Sequence, residues 1–290
     1  MILGNSIKTK IDELKKEFDE LKIDKEPLLN LIDEAEIAES VYNSNAIENS
    51  TLTLKETEKI LMDLEVSKDL NLREVFEAKN LARIMEYLRN KNNIAELNTD
   101  FMFFLHKMLL ENINSSISGR FRENNEYVRV STHIGAPPQK IVELIKNLLI
   151  EYSSNNNSYF LEKVAKFHLE FESIHPFNDG NGRMGRVLLN FQLGCLGFPN
   201  IIVKNKEKLN YYLAFNEYNE SKKVKTMFEI ISKALTESLY KRLAYLKGLK
   251  IIRLSEYVRL NKSKGSSLFN FAKRQTIPAF REKGIWKIGI

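Results

Sequence analysis

The chain has one cysteine, Cys195, which excludes an internal disulfide framework. It lies in the apolar run Leu193-Gly-Cys-Leu, where a buried small hydrophobe is expected rather than a nucleophile. Four histidines are too few for a histidine-rich metal site. Apolar runs such as Val187-Leu188-Leu189 are far too short to span a bilayer, so no membrane partner is expected. The first residues, Met-Ile-Leu-Gly-Asn-Ser-Ile-Lys, lack the basic start, long apolar stretch and small-residue cleavage site of a signal peptide. The cytoplasm is therefore the expected compartment. Internal repeats and low-complexity linkers are also lacking.

What remains is the composition of a soluble globular protein, 290 residues long, with room for one large domain and an appendage. Its net charge of +6 is unevenly spread: residues 251–290 hold nine Lys/Arg and two Asp/Glu, a balance of +7. The other 250 residues come to −1. Any polyanion partner belongs to that tail.

Most of the chain reads as helix. Ile7, Ile11, Leu14, Phe18 and Leu21 fall at three- and four-residue steps. The same pattern predicts helices near 27–45, 53–64, 72–88, 97–110, 139–152, 159–173, 182–196, 206–218 and 225–247. Pro27 stands in the first turn of its helix, and Thr53 with Glu56 forms a capping-box pattern. Residues 153–158 read as an exposed loop. Only two stretches look extended: a short hairpin or flap at 126–132, and two strands around Glu282-Lys-Gly within 277–288.

Residues 175–186 read His-Pro-Phe-Asn-Asp-Gly-Asn-Gly-Arg-Met-Gly-Arg, and little in that run suits a packed core. A neutral imidazole accepts a proton near neutral pH, which makes His175 a candidate base. Pro176 disfavours helix at His175 and places it at a loop mouth. Asp179 offers the hard oxygen that magnesium takes alongside substrate phosphates. Gly180 and Gly182 flank Asn181 and let backbone N–H groups approach an anion, at the positive end of the next helix. Arg183 and Arg186, three apart, share a helix face. Cations there are unfavourable unless an anion compensates them. Phe177 is expected to point inward and anchor the loop. Gly180-Asn-Gly-Arg-Met-Gly185 also satisfies the G-x-G-x-x-G dinucleotide pattern, but it follows a helix and His-Pro-Phe-Asn-Asp rather than a buried strand, so that reading is rejected.

The run resembles the signature of Fic proteins, His-Pro-Phe-x-Asp/Glu-Gly-Asn-Gly-Arg-x-x-Arg, and matches it at every defined position. Ala165-Lys-Phe-His-Leu-Glu-Phe-Glu-Ser-Ile-His resembles the helix that leads into it, and the likeness extends over about 97–240. The resemblance implies AMPylation, the transfer of AMP from ATP to a protein hydroxyl. It implies that His175 takes the proton from a target Tyr, Thr or Ser and that Asp179 ligates Mg2+. Backbone N–H groups around Gly180, Asn181 and Gly182 would hold phosphate oxygens, with Arg183 on the β-phosphate and Arg186 on the γ-phosphate. Tyr211, Tyr212 and Asn219 resemble the segment placed around adenine and ribose; the alternative is a core helix with surface tyrosines. Residues 128–135, with Val130, Ser131, Thr132 and His133, resemble the flap that clamps a target peptide by strand addition.

Ser44-Asn-Ala-Ile-Glu48-Asn49 matches the family's inhibitory pattern, Ser/Thr-x-x-x-Glu-Gly/Asn, though Asn49 also suits a plain helix C-cap. In the inhibitory reading Glu48 pairs with Arg186 in the place of the γ-phosphate. The tail weakly resembles excisionase-type winged helix-turn-helix modules, with DNA as a candidate partner of residues 251–290; the alternative is a basic solvated face. The expectation is a mainly α protein: an N-terminal helical region with the inhibitory motif (1–96), a helical Fic core with a short β-hairpin flap (97–248), and a small basic winged-helix-like module (249–290). Its function would be that of a self-restrained protein adenylyltransferase with its own chain among the candidate targets. Removal of AMP, transfer of another nucleotide monophosphate, a DNA-binding regulator that senses nucleotide, and a homo-oligomer stay open.

Overall fold

Helices form where the three- and four-residue apolar steps place them. The computed structural model describes residues 2–64, 69–89, 96–130, 133–155, 157–261 and 265–290. In chain order come α1 (Ile2–Leu21), α2 (Glu26–Ile47), α3 (Leu54–Leu61), α4 (Leu72–Arg89) and α5 (Thr99–Leu109). The short strands β1 (Arg129–Val130) and β2 (His133–Ile134) follow, then α6 (Ile141–Ser154), α7 (Phe160–Ile174), α8 (Asn181–Cys195), α9 (Lys208–Ser221) and α10 (Lys225–Leu246). The chain closes with β3 (Ile251–Arg253), α11 (Leu254–Leu260), α12 (Gly265–Lys273), β4 (Ala279–Glu282) and β5 (Ile285–Gly289). Among the described residues no helix is long and apolar enough to cross a membrane.

Contacts divide the chain into two units. One comprises Ile37–Gly197 and Val203–Glu229. In its core α7 packs against α6, α8 and α9, and Leu81, Met102, Leu105, Phe171, Phe177 and Leu188 are buried. The capping box that opens α3 forms as expected: Thr53 Oγ1 accepts the Glu56 N–H at 3.3 Å, and Glu56 Oε2 accepts the Thr53 N–H at 2.7 Å. The expected flap is smaller than the alternation suggested. Arg129 pairs with Ile134 and Val130 with His133, and Ser131 and Thr132 lie outside the described residues. The loop expected at 153–158 starts later, because α6 continues to Ser154.

The other unit comprises Met1–Glu36, Phe198–Ile202 and Ile230–Ile290. Its C-terminal part is a winged-helix-like module: an antiparallel sheet in the order β3-β5-β4 beside α11 and α12, around buried Leu254, Ala272, Ala279 and Ile288. Lys283 and Gly284 take positive φ (50° and 78°) and make the tight turn between β4 and β5. β3 corrects the reading that only two stretches are extended. Three residues are too few to show alternation, and their partners, Ile288 and Gly289 among them, come more than thirty residues later in the chain. Inside this unit Arg242 is buried against Asp33 and Glu36, which compensate its charge. Cys195 corrects a second expectation: it ends α8 and is exposed, on the side of the helix that the apolar run alone does not distinguish.

Candidate active site

The loop between α7 and α8 is shaped by backbone conformations that its sequence demands. α7 stops because His175 enters the left-handed region (φ 52°, ψ 61°) while its N–H still reaches Phe171 O at 2.9 Å. Pro176 then prevents the helix from resuming. Gly180, also left-handed (φ 77°), precedes the first turn of α8, and a Cβ there would come within 2.8 Å of Leu109 Cδ2. Asn181 is 2% exposed, and its side chain closes the loop on itself. Its Oδ1 accepts the Phe177 N–H at 2.9 Å and its Nδ2 donates to Phe177 O at 2.7 Å. Phe177 is fully buried, as expected, and stacks on His106 with ring centroids 3.8 Å apart. His106 has a fixed tautomer: Nδ1 accepts the Gly119 N–H at 3.0 Å, so Nε2–H donates to Asp179 O at 3.1 Å. Burial holds its pKa down to about 4.

Arg122, which no motif marks, is the strut of this arrangement. It is 2% exposed and donates to four backbone carbonyls: Glu126 at 2.7 Å, His175 and Ala136 at 2.8 Å, and Ile174 at 3.3 Å. One guanidinium therefore ties the end of α7 to the chain on both sides of the flap. Arg122→Met is expected to lower stability by about 3 kcal/mol, because four buried or partly buried backbone carbonyls lose this shared donor together. Chemical denaturation measures it, and a change below about 1 kcal/mol would show that water replaces the guanidinium.

His175 lies where two cavities meet, and both cavities also include Glu48 and Gly182. Its Nδ1 faces Glu172 O at 3.4 Å and Glu172 Oε2 at 3.9 Å. A proton on Nδ1 directed at that carbonyl leaves Nε2 as the basic nitrogen. Burial, reinforced by Glu48, pushes the Glu172 carboxyl up to about 8, so it is predominantly neutral at pH 7. Burial and the Arg186 cation hold buried His168 down to about 3, and its Nε2 shares a 2.6 Å hydrogen bond with the Tyr211 hydroxyl.

The larger cavity, about 540 Å³, contains Asp179, the start of α8 and Arg183. Arg183 is 4% exposed; its Nη1 lies 3.0 Å from Glu77 Oε1 and its Nη2 3.3 Å from Asp179 Oδ1. Asp179 Oδ1 also accepts the Gly180 N–H at 2.6 Å. Burial raises the Asp179 pKa, but Arg183 and Arg73 outweigh it and hold the carboxyl below its ordinary value. The smaller cavity, about 140 Å³, is lined by Arg186 and by Tyr211, Tyr212, Phe215, Asn216 and Asn219 of α9. Arg186 Nε donates to Ser44 Oγ at 2.9 Å, Nη2 to Ser44 O at 2.8 Å, and Nη1 lies 2.9 Å from Glu48 Oε1. Glu48 thus engages one nitrogen and Ser44 the other two. Burial works against this cation, yet Glu48 and Tyr211 hold it above its ordinary pKa.

The two arginines share a helix but not a cavity. Each meets a carboxylate from the N-terminal helical region: Glu77 of α4 for Arg183 and Glu48, just past α2, for Arg186. Asn49, with φ 70°, ends that helix. α9 anchors the same turn, as Tyr212 Oη donates to Ile47 O at 3.1 Å and Lys208 Nζ to Asn49 Oδ1 at 2.7 Å. Tyr211 is 1% exposed rather than a surface tyrosine, and Asn219 Oδ1 accepts the Ser173 hydroxyl at 2.6 Å. Glu77, Arg73, Arg122, Glu172, Phe215 and Asn216 went unmarked in the sequence. The charges of α4 looked like any solvated helix face.

Comparison with known proteins points to Fic proteins. Residues 96–193 match the model of the Fic/DOC family. A protein adenylyltransferase Fic of Nematostella vectensis is 27% identical over 222 residues, 75% of this chain and 51% of that protein. One of Drosophila willistoni is 30% identical over 186 residues, 62% of this chain and 36% of its own length. The chain spans about half or less of the length of these curated relatives. The crystal structure of a Fic domain containing signaling protein from Bacteroides thetaiotaomicron shares the fold, with TM-score 0.72 and 24% identity over 82% of this chain and 97% of that one. Residues 96–193 thus match the Fic/DOC family, and the chain carries the helical Fic fold.

Proposed function

We propose that the chain is a protein adenylyltransferase that moves AMP from ATP to a Tyr, Thr or Ser hydroxyl of a target protein, its own chain included. The observation that carries the reading is the placing of His175 between a cavity holding the start of α8 and one lined by Arg186 and α9. The names of the curated relatives, protein adenylyltransferase, support it. His175 takes the proton of the target hydroxyl on Nε2, with Nδ1 turned to Glu172. The oxygen forms its bond to the α-phosphorus in line as the bond to pyrophosphate breaks. The N–H groups at the start of α8, around Gly180, Asn181 and Gly182, hold phosphate oxygens. Arg183 and Arg186 neutralise the β- and γ-phosphates, and the wall formed by Tyr211, Tyr212 and Asn219 receives the nucleoside. Val130 and His133 belong to the edge that holds the target segment.

Magnesium fits the donors present. Among the described residues no group of three or more His, Cys, Asp or Glu could cage a metal ion. Asp179 lines a cavity roomy enough for polyphosphate together with Glu48, Glu74 and Glu77, and a site that offers few protein oxygens suits an ion that brings its remaining ligands with the substrate. Bound there, it would neutralise charge on the leaving pyrophosphate.

In this reading the N-terminal region restrains the Fic core, with Glu48 on Arg186 in the place of the γ-phosphate. The test is the intact mass of the chain and of candidate targets after incubation with ATP and magnesium. A gain of one AMP supports the reading, and no gain in any variant that lacks Glu48 sinks it. A second reading concerns the tail. Arg253, Arg259, Lys273 and Arg274 are exposed on the winged-helix-like module, which suits contact with DNA phosphates. A mobility shift that weakens steeply with salt would support it, and no shift at low salt would remove it.

A further inference from the structure

Arg73 belongs to no motif of the sequence, yet it lines the cavity that holds the start of α8. It stands in the first turn of α4, where Asn71 Oδ1 accepts its backbone N–H at 2.9 Å. Its Nε lies 3.0 Å from Glu77 Oε1, the same oxygen that pairs with Arg183. Its Nη2 donates to Asp179 Oδ2. Asp179 therefore carries two guanidiniums, Arg73 on one oxygen and Arg183 on the other.

The two arginines differ in freedom. Arg183 is 4% exposed and built into the cavity wall, whereas the Arg73 side chain is 53% exposed. Arg73 can leave Asp179 for solvent without stranding a buried charge, and Arg183 cannot. A divalent ion at the Asp179 carboxylate competes directly with Arg73 for Oδ2. The pair with Glu77 gives Arg73 a second anchor within the same cavity.

We propose that Arg73 is a placeholder cation and a further polyphosphate-binding residue. Before nucleotide binds, it neutralises Asp179. When a nucleoside triphosphate arrives with its metal, Arg73 yields Oδ2 and, still held by Glu77, turns its guanidinium onto the phosphate oxygens. This rests on the nucleotide-transfer reading above and adds to it a residue from outside the Fic signature.

The test is calorimetric titration of a non-hydrolysable ATP analogue into Glu48→Gly, with and without Arg73→Gln, across a range of magnesium concentrations. Arg73→Gln is expected to lower the magnesium concentration that half-saturates binding by roughly threefold, since the ion no longer displaces a guanidinium. At saturating magnesium it is expected to weaken the analogue by roughly threefold, through the lost phosphate contact, and Arg73→Lys to restore part of that loss. A purely structural role would worsen both quantities together. An unchanged or raised magnesium requirement, with the analogue still bound, overturns the placeholder alone. If no variant binds the analogue at any magnesium concentration, the nucleotide reading falls and this inference falls with it.

Discussion

Glu48→Gly is expected to raise AMP incorporation about a hundredfold over the wild-type chain, the rate cost of misplacing a reacting group by about an ångström. Glu48 does two things that a triphosphate would have to undo. Its Oε1 lies 2.9 Å from Arg186 Nη1, so the cation expected to take the γ-phosphate already has an anion. Its carboxylate also rests against Gly182, so closely that a Cβ at that position would be 2.1 Å from Oε1. A negative group thus lies over the N-terminal turn of α8, where the helix end favours an anion. In the proposed reading, ATP that entered with Glu48 in place would have to put its γ-phosphate elsewhere, and the α-phosphorus would shift away from the line of attack. Glycine removes the carboxylate and leaves Ser44 on Nε and Nη2 of Arg186, so the guanidinium keeps its orientation while Nη1 is released. Labelled AMP incorporation at saturating ATP measures the effect. Equal incorporation by variant and wild type would refute the brake and leave Glu48 as a helix-end residue.

The signature in residues 175–186 was legible because each residue in it has a local task. Pro176 and the left-handed His175 and Gly180 end one helix and start the next, and the inward Phe177 follows from its place between them. The helices were legible from apolar spacing and the α3 capping box from two residues, because both depend on neighbours within one turn. Contacts between residues far apart in the chain were not. Nothing within a turn of Arg122 reveals that its guanidinium serves carbonyls more than fifty residues later, at Ile174 and His175. Glu77 and Arg73 look like any i,i+4 pair on a solvated helix, which they also are. Their second contacts, to Arg183 and Asp179, exist only because the fold brings α4 beside the start of α8. The spacing of Arg183 and Arg186 implied one shared face. Flanking carboxylates, each on its own helical segment, decided that they line separate cavities.

His175→Ala, made in the Glu48→Gly background, is expected to cut AMP transfer about a thousandfold, within the range that a positioned general base contributes. Nucleotide binding should change little, because the groups assigned to the phosphates are Arg183, Arg186 and the first turn of α8. The His175 Nδ1 makes a long 3.4 Å approach to Glu172 O and lies 3.9 Å from Glu172 Oε2, and the loop is fastened by the His175 backbone carbonyl on Arg122, by Asn181 on Phe177 and by Phe177 on His106. Alanine at φ 52° carries a backbone strain of about 1 kcal/mol that histidine shares in part. His175→Asn is therefore the companion variant, since asparagine tolerates the left-handed region without supplying a base of suitable pKa. Both variants should bind a non-hydrolysable ATP analogue as Glu48→Gly does, yet show no mass gain after incubation with ATP. AMP transfer that persists in both would place the base elsewhere. Loss of analogue binding together with transfer would make His175 a support of the loop rather than the group that takes the proton.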